Sequence, residues 1–197
     1  MRFAYLIGVI VLVGVAGSKL DVAAEASGIA ALRHEHLRLL EELTQDLASP
    51  PYLVIDTYDN RVDLRDASHQ IVRQALCATG SGRKLEGAKP KYNWRFYTPK
   101  GRFSVLRKVA DPIWIKPEWH FVESGEKVPV FAEDKRRFER GALGEYALYF
   151  LKDYMIHGTI FEVNLGKNIT HGCIRVGRED LRYLYETVEV GCPVYIY

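Results

Sequence analysis

Residues His157 to Arg175 read HGTIFEVNLGKNITHGCIR, and the segments on either side frame this stretch as the heart of a small β-rich domain. Immediately before it, Tyr154-Met155-Ile156 is a β-prone run that delivers His157 at a strand end. After it, Glu179-Asp180 open a helix in which Leu181, Leu184, Tyr185 and Val188 form one face, with the acids favourably placed at its N-terminal end. Gly191 stops that helix, and Pro193 to Tyr197 form a closing strand. Working back, Tyr146 to Phe150 is a further strand, and Thr98-Pro99-Lys100-Gly101 is a turn leading into a strand over 102–106.

Further upstream, Tyr52 to Tyr58 and Arg61 to Arg65 are strand-like runs separated by Asp59-Asn60, a hairpin signal. Gln70 to Ala78 is another β-prone run, closed by Thr79-Gly80-Ser81-Gly82 and followed by a Gly- and Lys-rich loop to Pro90. The expected class is mostly β, a domain with one late helix, preceded by an N-terminal amphipathic helix. In that helix, positions Ile29, Leu32, His36, Leu39, Leu40, Leu43 and Leu47 recur at helical spacing. Packing on the main domain, a stem and self-association are its open uses. Ser49-Pro50-Pro51 ends it.

The N-terminus has the shape of a secretory signal: Met1-Arg2, an apolar stretch from Phe3 to Gly17, then small residues. That stretch is shorter than the roughly 20 residues of a spanning helix. Export to the periplasm or cell envelope is therefore expected, with residues 1–26 as a signal peptide or as a signal anchor that tethers the chain to the membrane. Residues 27–51 then form the helix and linker, and 52–197 the main domain. The chain has 27 Lys+Arg against 25 Asp+Glu, dispersed along its length, so there is no electrostatic footprint for nucleic acid. Hydrophobic residues make up 48%, enough for a real core in one domain. Cys77, Cys173 and Cys192 are an odd set for an oxidising compartment. Cys173 is expected free and the other two are expected buried, a Cys77–Cys192 bridge being the lesser alternative.

A free thiol is mostly protonated at neutral pH, so a nucleophilic Cys173 needs a base, and His157 and His171 are the two candidates. His157 can approach from a neighbouring strand, independently of the nucleophile's own loop, and is preferred. The Gly172 and Cys173 N–H groups are placed to stabilise an oxyanion, each such donor being worth roughly 3 kcal/mol. Arg175, on the side of an extended segment that Cys173 occupies, serves either to bind a substrate carboxylate or to brace the loop. Imidazole and thiolate also suit zinc, but no paired Cys-x-x-Cys or His-Glu-x-x-His arrangement accompanies them, so no metal and no other cofactor is expected.

The run His157-Gly158-Thr159 followed by Thr170-His171-Gly172-Cys173-Ile174-Arg175 resembles the signature of the L,D-transpeptidases, the YkuD-like catalytic domain of bacterial cell-wall enzymes. Thr98-Pro99-Lys100-Gly101-Arg102-Phe103 resembles the family's TPxGxF turn. Gly144 to Tyr149 is similar to the strand before its active-site His, and Gly191 to Val194 to its closing strand. The resemblance covers about Tyr52 to Tyr197. It implies a β-sandwich-like domain with Cys173 as nucleophile, His157 as general base and the Gly158 carbonyl orienting that imidazole, while Thr170, His171, Gly172 and Arg175 line the oxyanion and substrate pocket. The implied partner is a peptidoglycan tetrapeptide stem, which loses its terminal D-alanine as a thioester forms on Cys173. An amine or water then takes the acyl group, giving a transpeptidase or an L,D-carboxypeptidase. A catalytically silent peptidoglycan-binding domain and a zinc-dependent hydrolase are the alternatives from other classes.

Three positions depart from the common pattern: Thr170 where Ser is commoner, Cys192 where Thr is common, and Ile160-Phe161-Glu162 in place of a polar segment. The last bears on acceptor choice. Tyr92, Trp94, Phe96, Tyr97, Trp114, Trp119 and Phe121 supply either a pocket wall or core.

Overall fold

The computed structural model describes residues 28–39, 50–89 and 91–197. The chain divides into two compact units, Met1–Ser49 and Pro50–Tyr197. In the first, residues 28–39 form a helix, α1, exposed along its length, with an Arg38–Glu35 ion pair at 2.9 Å. The apolar segment Phe3 to Gly17 and the expected continuation of α1 to Leu47 lie outside the described residues. Among the described residues no helix is long and apolar enough to cross a membrane.

The second unit opens with the expected hairpin, β1 (Tyr52–Asp56) and β2 (Arg61–Arg65), paired antiparallel with Leu53 opposite Leu64 and Ile55 opposite Val62. These four side chains alternate to one face and are at most 1% exposed. Asn60 closes the turn in the left-handed region at φ 52°, a conformation Asn tolerates.

Strand β3 (Ile71–Gly80) is ten residues long and connects the two halves of the sheet. Its first part pairs with β2, and Cys77 and Ala78 pair with β13 (Ile174–Val176). It also runs through Thr79 and Gly80, where a turn was expected. Those residues are held in the sheet by β12 (Asn168–Thr170), which pairs with them in parallel.

The remaining sheet strands are β6 (Gly101–Ser104), β7 (Arg107–Ala110), β10 (Tyr146–Tyr149), β11 (Met155–His157) and β14 (Pro193–Ile196). The curled sheet runs β6-β14-β1-β2-β3-β13-β11-β10-β7. Two hairpins stand apart from it: β4 (Lys84–Glu86), in the stretch read as a loop, with β5 (Asn93–Arg95) beyond it, and β8 (Ile113–Ile115) with β9 (Phe138–Arg140). A six-residue helix, α2 (Glu118–Glu123), lies between β8 and β9 and adds to the single helix expected in this domain.

The late helix forms as α3 (Arg178–Thr187). Leu181 and Leu184 pack with Leu148, Ile156 and Ile174 in the main core, burial worth about 2 kcal/mol for each leucine. The helix is fixed from outside by Asp180 to Arg73 and by Glu145, which pairs with both Arg178 and Arg182. Glu162 also accepts the Arg178 N–H at 2.8 Å, satisfying a donor at the helix N-terminus. Cys77 and Cys192 are buried and unbridged, and Cys192 Sγ is directed at the Pro51 carbonyl at 3.2 Å.

Candidate active site

Parallel pairing of β11 with β13 sets Ile156 opposite Ile174 and His157 opposite Arg175. Because side chains alternate along extended chain, Met155, His157, Cys173 and Arg175 fall on one face of the sheet while Ile156 and Ile174 point into the main core on the other. The packing agrees: Met155 clusters with Leu143, Ala147 and Tyr149, and Cys173, Val109 and Trp114 pack against that cluster. The site is thus built on the outer face of β13-β11-β10-β7, and β8 covers it through Trp114.

His157 is 4% exposed, and its Nδ1 is hydrogen-bonded to the Gly158 carbonyl at 2.7 Å. A carbonyl can only accept, so Nδ1 carries the proton and Nε2 is left as the basic nitrogen. Burial holds the imidazole down to about 4, and the nearby Arg175 charge pushes the same way. Cys173 is half-buried and free. Burial raises its thiol to about 11, while the Met155 N–H at the sulfur and the Arg175 charge pull it back. Both groups therefore rest uncharged at neutral pH. Arg175 itself is half-buried and makes no ion pair or side-chain hydrogen bond among the described residues.

The turn that presents the cysteine is held by two threonines. Thr170 Oγ1 donates to the Cys173 carbonyl at 2.6 Å and accepts the Gly172 N–H at 3.1 Å. Thr98, from the turn before β6, donates to the Gly172 carbonyl at 2.9 Å and accepts the Gly80 N–H at 2.9 Å. This alters one expectation. The Gly172 N–H is committed to Thr170, so it is not free to meet an oxyanion, whereas the Cys173 N–H has no partner among the described residues. Gly172 adopts φ 124°, and a Cβ there would lie 2.6 Å from the Tyr97 carbonyl oxygen and 2.7 Å from Tyr154 Cε1. No other residue fits.

His171 is placed differently from His157. Its Nε2 pairs with Glu123 Oε2 of α2 at 2.7 Å, and its ring stacks on Trp119 at 3.9 Å with Phe96 edge-on at 4.3 Å. Burial lowers its pKa and Glu123 opposes that shift. The aromatic stretch accordingly divides: Phe96 and Phe121 are buried, while Trp114 and Trp119 wall the site. Glu123, Thr98 and Tyr154 escaped the sequence reading as site residues. Thr98 stood in a quoted turn and Tyr154 in the strand run before His157, but Glu123 carried no local signal. Among the described residues no three His, Cys, Asp or Glu side chains converge as metal donors.

The family model for the L,D-transpeptidase catalytic domain, YkuD, matches residues 50–196. The chain belongs to this family. It is 36% identical over 93 residues to the probable L,D-transpeptidase YbiS of Escherichia coli K12, a match covering 46% of this chain and 29% of that protein. It is 32% identical over 100 residues to the putative L,D-transpeptidase YqjB of Bacillus subtilis, covering 50% and 51% respectively. The matches thus span about a third to a half of the length of these curated relatives. An L,D-transpeptidase from Xylanimonas cellulosilytica shares the fold with a TM-score of 0.55 at 20% identity, over 76% of this chain and 61% of that one. One from Mycobacterium smegmatis does so with a TM-score of 0.53 at 19% identity, over 76% and 59%.

Proposed function

We propose that this L,D-transpeptidase domain acts on peptidoglycan tetrapeptide stems through a thioester on Cys173. The observation that carries the reading is the shared face of Cys173, His157 and Arg175, with Nδ1 of His157 tied to Gly158 and its other nitrogen left basic. Cys173 Sγ attacks the carbonyl between the L-centre of the third residue and the terminal D-alanine. The thiol proton passes to His157 as the C–S bond forms, and His157 returns it to the departing amine of D-alanine. A second amine then attacks the thioester, loses its proton to His157 and releases the thiol.

Arg175 supplies the complement to the donor's carboxylate, because a half-buried guanidinium without an acidic partner is a ready receptor for one. Residues 1–26 act as the export signal or anchor that brings residues 52–197 to the envelope. Incubation with a carbapenem should give a covalent adduct by intact-protein mass spectrometry that Cys173→Ala abolishes. Muropeptide analysis on disaccharide tetrapeptide should show cross-linked product with loss of D-alanine. An unmodified wild-type protein, or trimming without amine capture, would count against the transpeptidase reading.

A further inference from the structure

Charge that is nearly balanced over the whole chain is uneven beside the site. Between Gly82 and Arg102 stand seven of its 27 Lys+Arg but one of its 25 Asp+Glu, Glu86. All seven cations are exposed. Arg83 meets Glu123 at 3.6 Å and Lys84 pairs with Glu86, while Lys89, Lys91, Arg95, Lys100 and Arg102 have no acidic partner among the described residues. The β4–β5 hairpin at the centre of this stretch sets Lys84 directly opposite Arg95. Like charges so placed weaken a strand pair, so the arrangement does not serve the fold. Arg95 also donates to the Tyr97 hydroxyl at 2.7 Å, which leaves a guanidinium beside an exposed ring. The same segment reaches the nucleophile's turn. The Tyr97 carbonyl oxygen lies 2.6 Å from where a Cβ on Gly172 would stand, and Phe96 is edge-on to His171 at 4.3 Å.

We infer that the β4–β5 hairpin is a docking surface for the peptidoglycan polymer, holding the free carboxylates of stem peptides that neighbour the one being processed. Each uncrosslinked tetrapeptide stem ends in a carboxylate, so a glycan strand carrying many stems is a polyanion. Exposed cations attract such a polymer over about a Debye length, roughly 8 Å at physiological salt. The surface is separate from Arg175, which meets the carboxylate of the donor itself. An anionic bilayer does not match it. The hairpin's Leu85, Tyr92 and Trp94 are half-buried, with Tyr92 stacked on Trp94 at 5.7 Å, so these side chains form no apolar wedge for a membrane. A flat membrane on this face would also cover the turn that presents Cys173.

The inference rests on peptidoglycan as the substrate, and it is separated from the acyl-transfer reading by measuring retention on sacculi beside acylation by a carbapenem, which needs no polymer. The full chain should sediment with purified sacculi at low salt and be released as salt rises. The triple variant Lys84→Gln, Lys89→Gln, Lys91→Gln should bind sacculi about 10-fold more weakly, with carbapenem acylation and thermal unfolding as in the wild type. Amidation of the sacculus carboxylates should release the wild-type protein as well. Equal retention of variant and wild type, retention that ignores salt, or tighter retention on phosphatidylglycerol vesicles than on sacculi overturns the inference alone. So does a variant that loses acylation or unfolds earlier, which would make these lysines part of the scaffold. A wild-type protein that takes no acyl group yet sediments in this salt-dependent way overturns the acyl-transfer reading and not the docking surface.

Discussion

Lowering the pH from 7 to 4 should destabilise the wild-type protein by about 3 kcal/mol more than it destabilises His157→Gln. His157 is 4% exposed, and burial holds its imidazole at about 4 against an ordinary value of 6.5. In the unfolded chain the ring takes up a proton as the pH falls through 6.5, whereas the folded protein resists until about 4. Between these values the unfolded state binds more protons, so stability falls with falling pH across that window and levels off below it. The gap of roughly 2.5 units, at 1.36 kcal/mol each, gives the 3 kcal/mol. Gln keeps an amide that can donate to the Gly158 carbonyl but does not titrate. Urea unfolding of both proteins at several pH values between 7 and 4 reads the difference directly. His171, shifted the same way, is present in both proteins and cancels. Parallel pH dependences would show that His157 is solvated or charged in the folded state, and the neutral-base assignment would fail with it.

Two other perturbations probe the turn and the thiol. Thr98→Val strands the Gly172 carbonyl and the Gly80 N–H in a buried setting, so it should cost about 3 kcal/mol in chemical denaturation and slow carbapenem acylation; retained stability would mean that the turn does not depend on Thr98. With the thiol pushed up to about 11, iodoacetamide alkylation of Cys173 should rise about tenfold per pH unit from 7 to 9; a plateau near neutrality would reveal a preformed thiolate and contradict the uncharged pair.

The parts of the fold that were legible in the sequence are those whose signal is local. The β1–β2 hairpin combines alternation with an Asp-Asn turn, and α3 combines acidic first-turn residues with an apolar face. By contrast β4, β5, β8, β9 and β12 are three residues each, too short to show a period, and they are strands because of what they pair with. Strand β12 and the extension of β3 through Thr79 and Gly80 define one another, which is why a plausible turn signal there was overridden. In the site, spacing alone put Cys173 and Arg175 on one side of the chain. The contacts that fix the site's shape join distant residues, Glu123 to His171 across 48 positions and Thr98 to Gly172 across 74. No pattern in a single sequence encodes such pairs.

The two histidines show why composition of a motif does not assign its roles. Both are candidate bases by residue type, and His171 is nearer the cysteine in sequence. The difference lies in which ring nitrogen is free. His171 spends Nε2 on Glu123 and is clamped flat against Trp119, so taking the thiol proton there would break a packed arrangement. His157 spends Nδ1 on a backbone carbonyl, a contact that fixes the tautomer and leaves the basic nitrogen available on the face shared with Cys173. Burial pushes the Cys173 thiol up and the His157 imidazole down, so both rest uncharged at neutral pH. Proton transfer between a thiol near 11 and an imidazole near 4 is unfavourable by itself, so it must be coupled to formation of the C–S bond. In the proposed mechanism that coupling places the demand on stabilising the oxyanion rather than on prior activation of the sulfur. The donors around Gly172 and Cys173 are accordingly where substitutions should act most strongly.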